Sequence, residues 1–338
     1  MADRANGAVI GQPPINAVSG HALILPLGRS PRTCRPAVPE PQLHAVGWLA
    51  RGRPGACPAV QDAPGVGVGG VARPGANTWH HDLVVELKSP AEIEAMRPAG
   101  RVVATALAQI RKQAAVGVSL QELDEIARSV LAEHGASSPF LHYQPSFAHS
   151  PFPAVICASV NDAALHGIPG PYRLADGDLV SIDFGATLNG WTGDAAISFT
   201  VGTARPADVR LIETTERALA AGIAAAVPGG RLGDVSAAIG SVARRGRYGL
   251  HTDFGGHGVG HTMHEAPSVP NDGKAGRGLR LEPGLVIAIE PWFMAGGKNS
   301  YRVDPDGWTL RSGDGSRAAH VEHTVAITAD GPRILTAL

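Results

Sequence analysis

Cysteine is scarce in this chain, and the three that occur, Cys34, Cys57 and Cys157, do not form a CxxC pair. An odd number of widely spaced cysteines argues against a disulfide framework and against a zinc site built on thiolates, and it fits a reducing compartment. Long apolar stretches are also missing, since no run approaches the roughly 20 residues that span a bilayer. We therefore expect a cytoplasmic protein that does not enter a membrane.

Charge of one sign is not in excess either, because the formal net charge is −1 at pH 7. No global positive field is available to hold nucleic acid or an anionic membrane, so we expect no specific nucleic acid and no membrane as partners. Hydrophobic residues make up 44% of the chain and charged residues 17%, which suffices for a sizeable core. The 14 histidines are a weak indication of metal or acid–base chemistry.

Regular periodicity is absent from residues 1–80, which hold eleven of the 27 prolines, seven arginines, no lysine and three acidic residues. Such a segment cannot bury a core, so we expect residues 1–83 to be a disordered leader before a folded domain at 84–338. Three interpretations stay open. The leader could be an organellar transit peptide, an arm that contacts ribosomal RNA, or upstream sequence that is not translated, with a GTG start codon at Val84.

The pattern becomes that of a globular domain at Ser89. Ser89 is a predicted N-cap, with Pro90 at the first helical position and Glu92 as the capping-box acid. Apolar residues at helical spacing follow. A second helix is predicted to begin at Ser119 and to end at Gly135.

This helix pair recurs further along the chain. Pro90-Ala-Glu-Ile93 matches Pro206-Ala-Asp-Val209 at an offset of 116 residues, and the second helix repeats more faintly at an offset of 112. Runs typical of strands follow each pair. Two interpretations stay open: a chance likeness of Ala-rich amphipathic helices, or a duplicated unit. A duplication would place a site at the interface of two pseudo-symmetric halves.

Two aspartates fall on one predicted hairpin. Asn189-Gly190 is a strong signal for a two-residue turn between two strand patterns. With that turn, Asp194 faces Gly185, which lies two residues from Asp183 on the same strand. The two carboxylates are then diagonal neighbours on one face, about 7 Å apart at the backbone. The pair must face solvent, be protonated or be neutralised by a cation, and these alternatives stay open.

Two strand patterns in the second half also carry acidic residues. Leu285-Val-Ile-Ala-Ile289 is typical of a buried strand and runs into Glu290, while Val321–Ile327 is a strand pattern that contains Glu322. Carboxylates are disfavoured among apolar strand residues. Like the two aspartates of the first half, Glu290 and Glu322 are thus acidic residues in or next to predicted strands.

A glycine-rich turn lies between these features and surrounds His257, with His264 seven residues further on. Glycines allow the backbone to pass close to another group, which a simple loop does not require. The stretch His261-Thr-Met-His264-Glu265 is not HExxH, so a zincin helix is excluded.

Five parts of the chain form a recognisable set. They are Ser159–Pro169, Ser181–Asp183 with Gly193-Asp194, Gly256–Pro267, Glu282–Gly284 with Ile289–Pro291, and Gly307–Thr309 with His320–Thr324. From about Val85 onward, some three quarters of the chain resembles the type I methionine aminopeptidases. The resemblance implies an α/β (α+β) pita-bread fold, in which two pseudo-symmetric halves, each with a helix pair and antiparallel strands, surround a dinuclear metal site.

By this resemblance, five side chains hold two divalent metal ions. Asp183 would bind one ion. Asp194 and Glu322 would bridge both, and His257 and Glu290 would complete the other. Four carboxylates and one imidazole suit Co, Mn, Fe or Zn. Two such ions can share a hydroxide, which is a nucleophile at neutral pH.

The resemblance also implies catalytic and substrate-binding residues. His166 and His264 would contact the substrate. Glu290 would move the proton, and His264 would stabilise the tetrahedral oxyanion. The candidates for a methionine pocket are Cys157, Phe152, Trp308 and Met263. Apolar and soft walls suit a thioether, but Met263 stands where the family commonly has an aromatic residue.

The resemblance predicts the hydrolytic removal of the initiator methionine from nascent polypeptides when the second residue is small. We expect a monomer, with transient ribosome contact as a further hypothesis. An Xaa-Pro aminopeptidase or prolidase of the same fold is an alternative, but those enzymes usually carry a folded N-terminal domain, and Asp306-Gly-Trp308-Thr fits the methionine enzymes. The other alternative is a non-catalytic pita-bread binding protein, which the complete ligand set disfavours.

Overall fold

The structure of the protein is a computed structural model that describes residues 85–146 and 148–338. The predictions for the leader at residues 1–83, and for the start of the folded domain at Val84, lie outside the described residues. Among the residues described, no helix is both long and apolar enough to cross a membrane.

The described residues form four α-helices. They are α1 (Pro90–Gln113), α2 (Leu120–His134), α3 (Pro206–Ala225) and α4 (Leu232–Gly246). The predicted capping box of α1 is confirmed, because the Glu92 amide donates to Ser89 Oγ at 3.3 Å and the Ser89 amide donates to the Glu92 carboxylate at 2.7 Å. The predicted end of α2 is also confirmed, since Gly135 takes a left-handed φ of 63° and closes the helix.

The helix pair occurs once in each half of the described domain. α1 and α3 begin at Pro90 and Pro206, and α2 and α4 begin at Leu120 and Leu232, which are the two offsets seen in the sequence. α1 packs on α2, and α3 packs on α4. The prediction of one helix pair in each half is therefore confirmed.

Fourteen short strands connect and cover these helices in the described part of the chain. They are β1 (Ile156–Val160), β2 (Ala163–Leu165), β3 (Leu179–Leu188), β4 (Trp191–Thr200), β5 (Gly249–Leu250), β6 (Gly256–Gly258), β7 (Glu265–Val269), β8 (Val286–Ile289), β9 (Trp292–Met294), β10 (Tyr301–Val303), β11 (Leu310–Ser312), β12 (Ala318–His320), β13 (His323–Thr328) and β14 (Gly331–Ile334). They pair antiparallel in sheets of order β1-β3-β4, β10-β11-β2, β12-β9-β5 and β14-β13-β8-β6-β7.

The β3–β4 hairpin has the predicted turn and register. Asn189 and Gly190 have φ values of 53° and 80°, the positive values that a two-residue type I′ turn requires. Asp194 lies directly opposite Gly185, as the turn predicts. The sequence therefore determines which face of the hairpin carries Asp194 and Asp183.

Two apolar cores lie one in each half. The first includes Val103, Leu123, Ile156, Ile182 and Phe184 from α1, α2, β1 and β3. The second includes Leu211, Val235, Ile239, Ile287 and Val325 from α3, α4, β8 and β13. The halves meet where the backbones of Ala196 and Glu322 exchange hydrogen bonds, with N–O distances of 3.4 and 3.0 Å. This junction brings acidic residues of both halves together.

Candidate metal centre

Asp183 and Asp194 occupy the inner face of the β3–β4 hairpin. Asp194 is only 4% exposed, and the Oδ1 atom of Asp183 is shut off from solvent. Burial raises the pKa of Asp194 to about 8, and the Glu290 carboxylate adds to the rise. Burial also raises the pKa of Asp183, and the charges of Asp194 and Glu290 raise it further. A pair that faces solvent is thus ruled out, so protonation or a cation must offset these charges.

The second half contributes Glu322 and Glu290 to the same place. Glu322 is 2% exposed and follows β12 in the chain. Its amide donates a hydrogen bond to the Ala196 carbonyl oxygen, which holds the residue beside β4. Its pKa is raised well above the usual value by burial and then by the charges of Asp194 and Glu290. Glu290 directly follows β8, as the strand pattern predicts.

His257 lies on β6 between two glycines that pack against neighbouring backbone. A Cβ atom at Gly256 would lie 2.0 Å from the Ala288 carbonyl oxygen, and one at Gly258 would lie 2.1 Å from that of Ala266. No larger residue fits at either position, which explains the glycines around the histidine. The Nδ1 atom of His257 lies 2.9 Å from the Gly258 carbonyl oxygen, so the ring turns its Nε2 atom toward the acidic residues.

Side-chain donor atoms converge in two overlapping groups. The ligand atoms of Asp194, His257 and Glu322 lie within 4.8 Å of one another, and those of Glu290, His320 and Glu322 form a second such group. Buried oxygens of Asp183, Asp194 and Glu322 have no hydrogen-bond partner. Buried acceptors without donors are costly, and cations satisfy them. The residues present therefore fit divalent metal ions at this place.

His320 is the member of this centre that the sequence analysis did not single out. It lies within the resembling stretch His320–Thr324 and two residues before Glu322, a spacing that puts alternate strand residues on one face. That spacing was the available signal. The Nε2 atom of His320 lies 3.5 Å from Glu290 Oε2, which is longer than a normal hydrogen bond.

Neighbouring histidine side chains favour the ionised form of Glu290. Burial alone would raise the pKa of Glu290, but the adjacent His320, His257 and His166 side chains outweigh it and hold the pKa below its usual value. This carboxylate therefore differs from Asp183 and Glu322, whose pKa values are raised. Glu290 is the acid of the centre most ready to remain ionised.

His166 and His264, the two predicted substrate histidines, border the centre. His166 is buried, its ring meets those of Phe254 and Trp308 edge-on, and burial lowers its pKa to about 4. His264 is reached by solvent, and its ring centroid lies 4.2 Å from that of His257. Desolvation by the surrounding protein, followed by the charges of His257 and His166, lowers the pKa of His264. Both rings are therefore neutral at pH 7.

The four pocket candidates lie in one buried apolar cluster. Cys157, Phe152, Met263 and Trp308 pack together with Phe140, Ala148 and Ala154, and Tyr143 and Ile168 border them. Phe152 meets Trp308 edge-on at a centroid distance of 5.1 Å. Cys157 faces Asp183 across β1 and β3, so the cluster adjoins the metal-binding groups. Phe140 and Tyr143 were missed, because single aromatic residues in a loop carry no periodic signal.

Comparisons with known proteins agree with this geometry. The model of metallopeptidase family M24 matches residues 94–329. Methionine aminopeptidase 1 of Mycobacterium tuberculosis is 52% identical over 260 residues, which cover 75% of this chain and 95% of that protein. The chain belongs to the type I methionine aminopeptidases of this family.

Solved structures place the fold in the same family. The crystal structure of methionine aminopeptidase from Thermotoga maritima has a TM-score of 0.71 and 36% identity, and the match covers 75% of this chain and all of that one. The prolidase of Pyrococcus furiosus has a TM-score of 0.57 and 23% identity, over 75% of this chain and 65% of that one. The second likeness shows the fold alone. The pita-bread fold predicted from the resemblance is thereby confirmed.

A buried ion pair holds the segment that carries His264 in place. The Lys88 ammonium donates to Glu265 Oε2 at 2.6 Å, and the two side chains are 2% and 15% exposed. Glu265 Oε1 accepts from the Thr262 amide at 3.1 Å. The Lys88 amide donates to the Gly284 carbonyl oxygen at 2.7 Å, so the pair joins the start of the described chain to the second half.

We expect Lys88→Met to lower the free energy of unfolding by about 3 kcal/mol, because it leaves the Glu265 charge buried without its partner. The measurement is chemical denaturation of the metal-free protein. Arg97→Met is the matched control, since Arg97 pairs with Glu94 at 3.5 Å on the surface, where loss of a pair costs at most about 1 kcal/mol. Equal effects of the two substitutions would contradict a structural role for the buried pair.

Proposed function

We propose that the protein removes the N-terminal methionine from polypeptides whose second residue is small, by metal-dependent hydrolysis. The observation that carries the proposal is the contact of two features: a buried set of unsatisfied carboxylates and imidazoles, and an apolar cluster beside it. The first fits divalent ions, and the second fits an uncharged, flexible side chain such as that of methionine.

The five predicted ligands are the residues that would hold the ions. Asp183 and Asp194 would bind from the first half, and His257, Glu290 and Glu322 from the second. Bound metals lower the pKa of coordinated water and polarise a carbonyl oxygen. We propose Co, Mn, Fe or Zn, since four carboxylates and an imidazole suit these metals.

The remaining chemistry falls to side chains around the centre. Its lowered pKa keeps Glu290 ionised, so this carboxylate can accept a proton and would take it from the attacking water. His264 is neutral and accessible, so its ring N–H could donate to the oxyanion of the tetrahedral intermediate. His166 would contact the substrate from the wall that it forms with Trp308. A free substrate amine would approach the acidic residues, which favours cleavage at the first peptide bond.

The setting in the cell follows from the same proposal. The substrates would be the N-termini of nascent polypeptides in the cytoplasm. The enzyme would act as a monomer and would contact the ribosome transiently. Neither nucleic acid nor a membrane is needed for this activity.

A direct test compares peptides after metal reconstitution. We expect Met-Ala-Ser to be cleaved with a higher kcat/KM than an Ala-Pro peptide, because the apolar cluster beside the centre suits the apolar methionine side chain at the first position. N-acetyl-Met-Ala-Ser is the control and should resist cleavage. Equal or faster cleavage of Ala-Pro would favour the Xaa-Pro alternative. Full metal binding without any turnover would favour the non-catalytic alternative.

The leader gives a separate prediction. We propose that residues 1–83 are dispensable, so a chain that starts at Val84 should match the full chain in melting temperature and in kcat/KM on Met-Ala-Ser. Intact-mass measurement of the native protein would show whether the leader is present at all. A loss of several degrees on truncation would mean that the leader packs on the folded domain.

A further inference from the structure

The Glu290 carboxylate lies between two imidazole rings. His257 Nε2 is 3.6 Å from Glu290 Oε1, and His320 Nε2 is 3.5 Å from Glu290 Oε2. Each oxygen of one carboxylate thus faces one ring nitrogen at nearly the same distance. His320 therefore lies at nearly the same distance from Glu290 Oε2 as the predicted ligand His257 lies from Glu290 Oε1.

His320 is held in place and has an unsatisfied ring nitrogen. The residue is 2% exposed, and its Nε2 atom has no hydrogen-bond partner. Its amide donates to Ser198 Oγ at 3.0 Å, and the Ser198 hydroxyl donates back to its carbonyl oxygen at 2.7 Å. A buried polar atom without a partner is costly, so a buried ring with such an atom indicates a ligand at that position.

The distances favour a shared ion over a hydrogen bond. A separation of 3.5 Å between Nε2 and Oε2 exceeds the usual 2.7–3.2 Å of an N–H···O bond. Two donor atoms that each bind one ion at about 2.1 Å lie roughly 3–4 Å apart. The Glu290, His320 and Glu322 donor atoms lie within 4.8 Å of one another, as a common ion requires.

We propose that His320 Nε2 is a sixth protein ligand of the metal centre, on the ion that Glu290 and Glu322 bind. This inference rests on the proposed function, because it presumes that the centre holds two metals. Glu322 belongs to both donor groups and joins them, and each group then contains one imidazole. By the ligand set given above, His257 binds the same ion, so that ion would have two nitrogen ligands. A second nitrogen ligand would raise its affinity for Co and Zn relative to Mn, which prefers oxygen donors.

The test measures metal binding rather than activity alone. The full chain is stripped of metal, and Co(II) and Mn(II) are titrated calorimetrically into wild type, His320→Ala and His320→Gln, with metal content checked by mass spectrometry. We expect wild type to bind two equivalents. Both variants should keep one equivalent at wild-type affinity and bind the second with a Kd raised about 100-fold for Co(II) and less for Mn(II). The visible spectrum of the Co(II) form should change as well.

His261→Ala is the matched control, because His261 is an exposed imidazole that stacks on Trp191 and belongs to neither donor group. It should bind both equivalents as wild type does. If His320→Ala does not fold, His320→Gln decides, since it keeps most of the side-chain volume. Two equivalents with wild-type affinities and an unchanged Co(II) spectrum in the His320 variants would overturn the assignment, even if kcat fell. Wild type that binds no metal would instead refute the proposed function.

Discussion

Asp194→Asn is expected to lose at least one metal ion and nearly all turnover, and Glu322→Gln should do the same. Both carboxylates are almost completely buried, and each has an oxygen without a hydrogen-bond partner. An amide of the same size cannot offset the charge of the cations it would contact. The loss in kcat/KM should exceed the roughly 10- to 100-fold cost of removing a residue that only supports a ligand. Metal content by mass spectrometry and kcat/KM on Met-Ala-Ser are the two measurements.

Asp272→Asn is the matched control for this prediction. Asp272 pairs with Arg244 at 2.7 Å on the surface, so the same chemical change there should leave metal content and turnover at wild-type values. A full metal load with wild-type turnover in Asp194→Asn would remove Asp194 from the centre. The outcome for Glu322→Gln is judged separately in the same way.

The second large effect is expected for His264→Ala, which should keep both metals and lower kcat by about 10² or more. His264 belongs to neither donor group, but its ring lies beside that of His257 and is open to solvent. Loss of a hydrogen bond that forms mainly in the transition state lowers kcat with little change in KM. Steady-state kinetics on Met-Ala-Ser, with metal content measured in parallel, would test this.

Two controls bear on the role of His264. His261→Ala removes a neighbouring imidazole outside both donor groups and should leave kcat unchanged. His264→Gln retains a donor and should recover part of the lost rate. A rise in KM with an unchanged kcat in His264→Ala would mean that the ring binds only the ground state of the substrate.

The sequence predicted the local parts of this structure well. The Asn189-Gly190 turn determined the register of the β3–β4 hairpin, and with it the shared face of Asp183 and Asp194. Capping boxes determined the starts of α1 and α2. These predictions succeeded because each depends on residues close together in the chain, where backbone geometry leaves few choices.

The parts that the sequence did not predict depend on distant residues. Lys88 and Glu265 are 177 positions apart, and nothing near either residue indicates the other. His320 was overlooked because its position depends on the pairing of β12 with β9 and on hydrogen bonds from its amide to Ser181 and Ser198, which are far away in the sequence. The set of metal ligands was predicted from the resemblance. The spacing alone allowed Asp183 and Asp194 to face solvent, to be protonated or to bind a cation.

The hydrogen bonds between Asp194 and Thr324 join positions 130 residues apart, and together with those between Ala196 and Glu322 they connect the two halves at the centre. Contacts between such distant positions form late, because closing a long loop costs entropy before the contact repays it. A chain whose halves have each collapsed would therefore still lack the assembled donor groups. Metal affinity would then report on the last step of folding, and a partly folded molecule would be inert toward the N-termini around it.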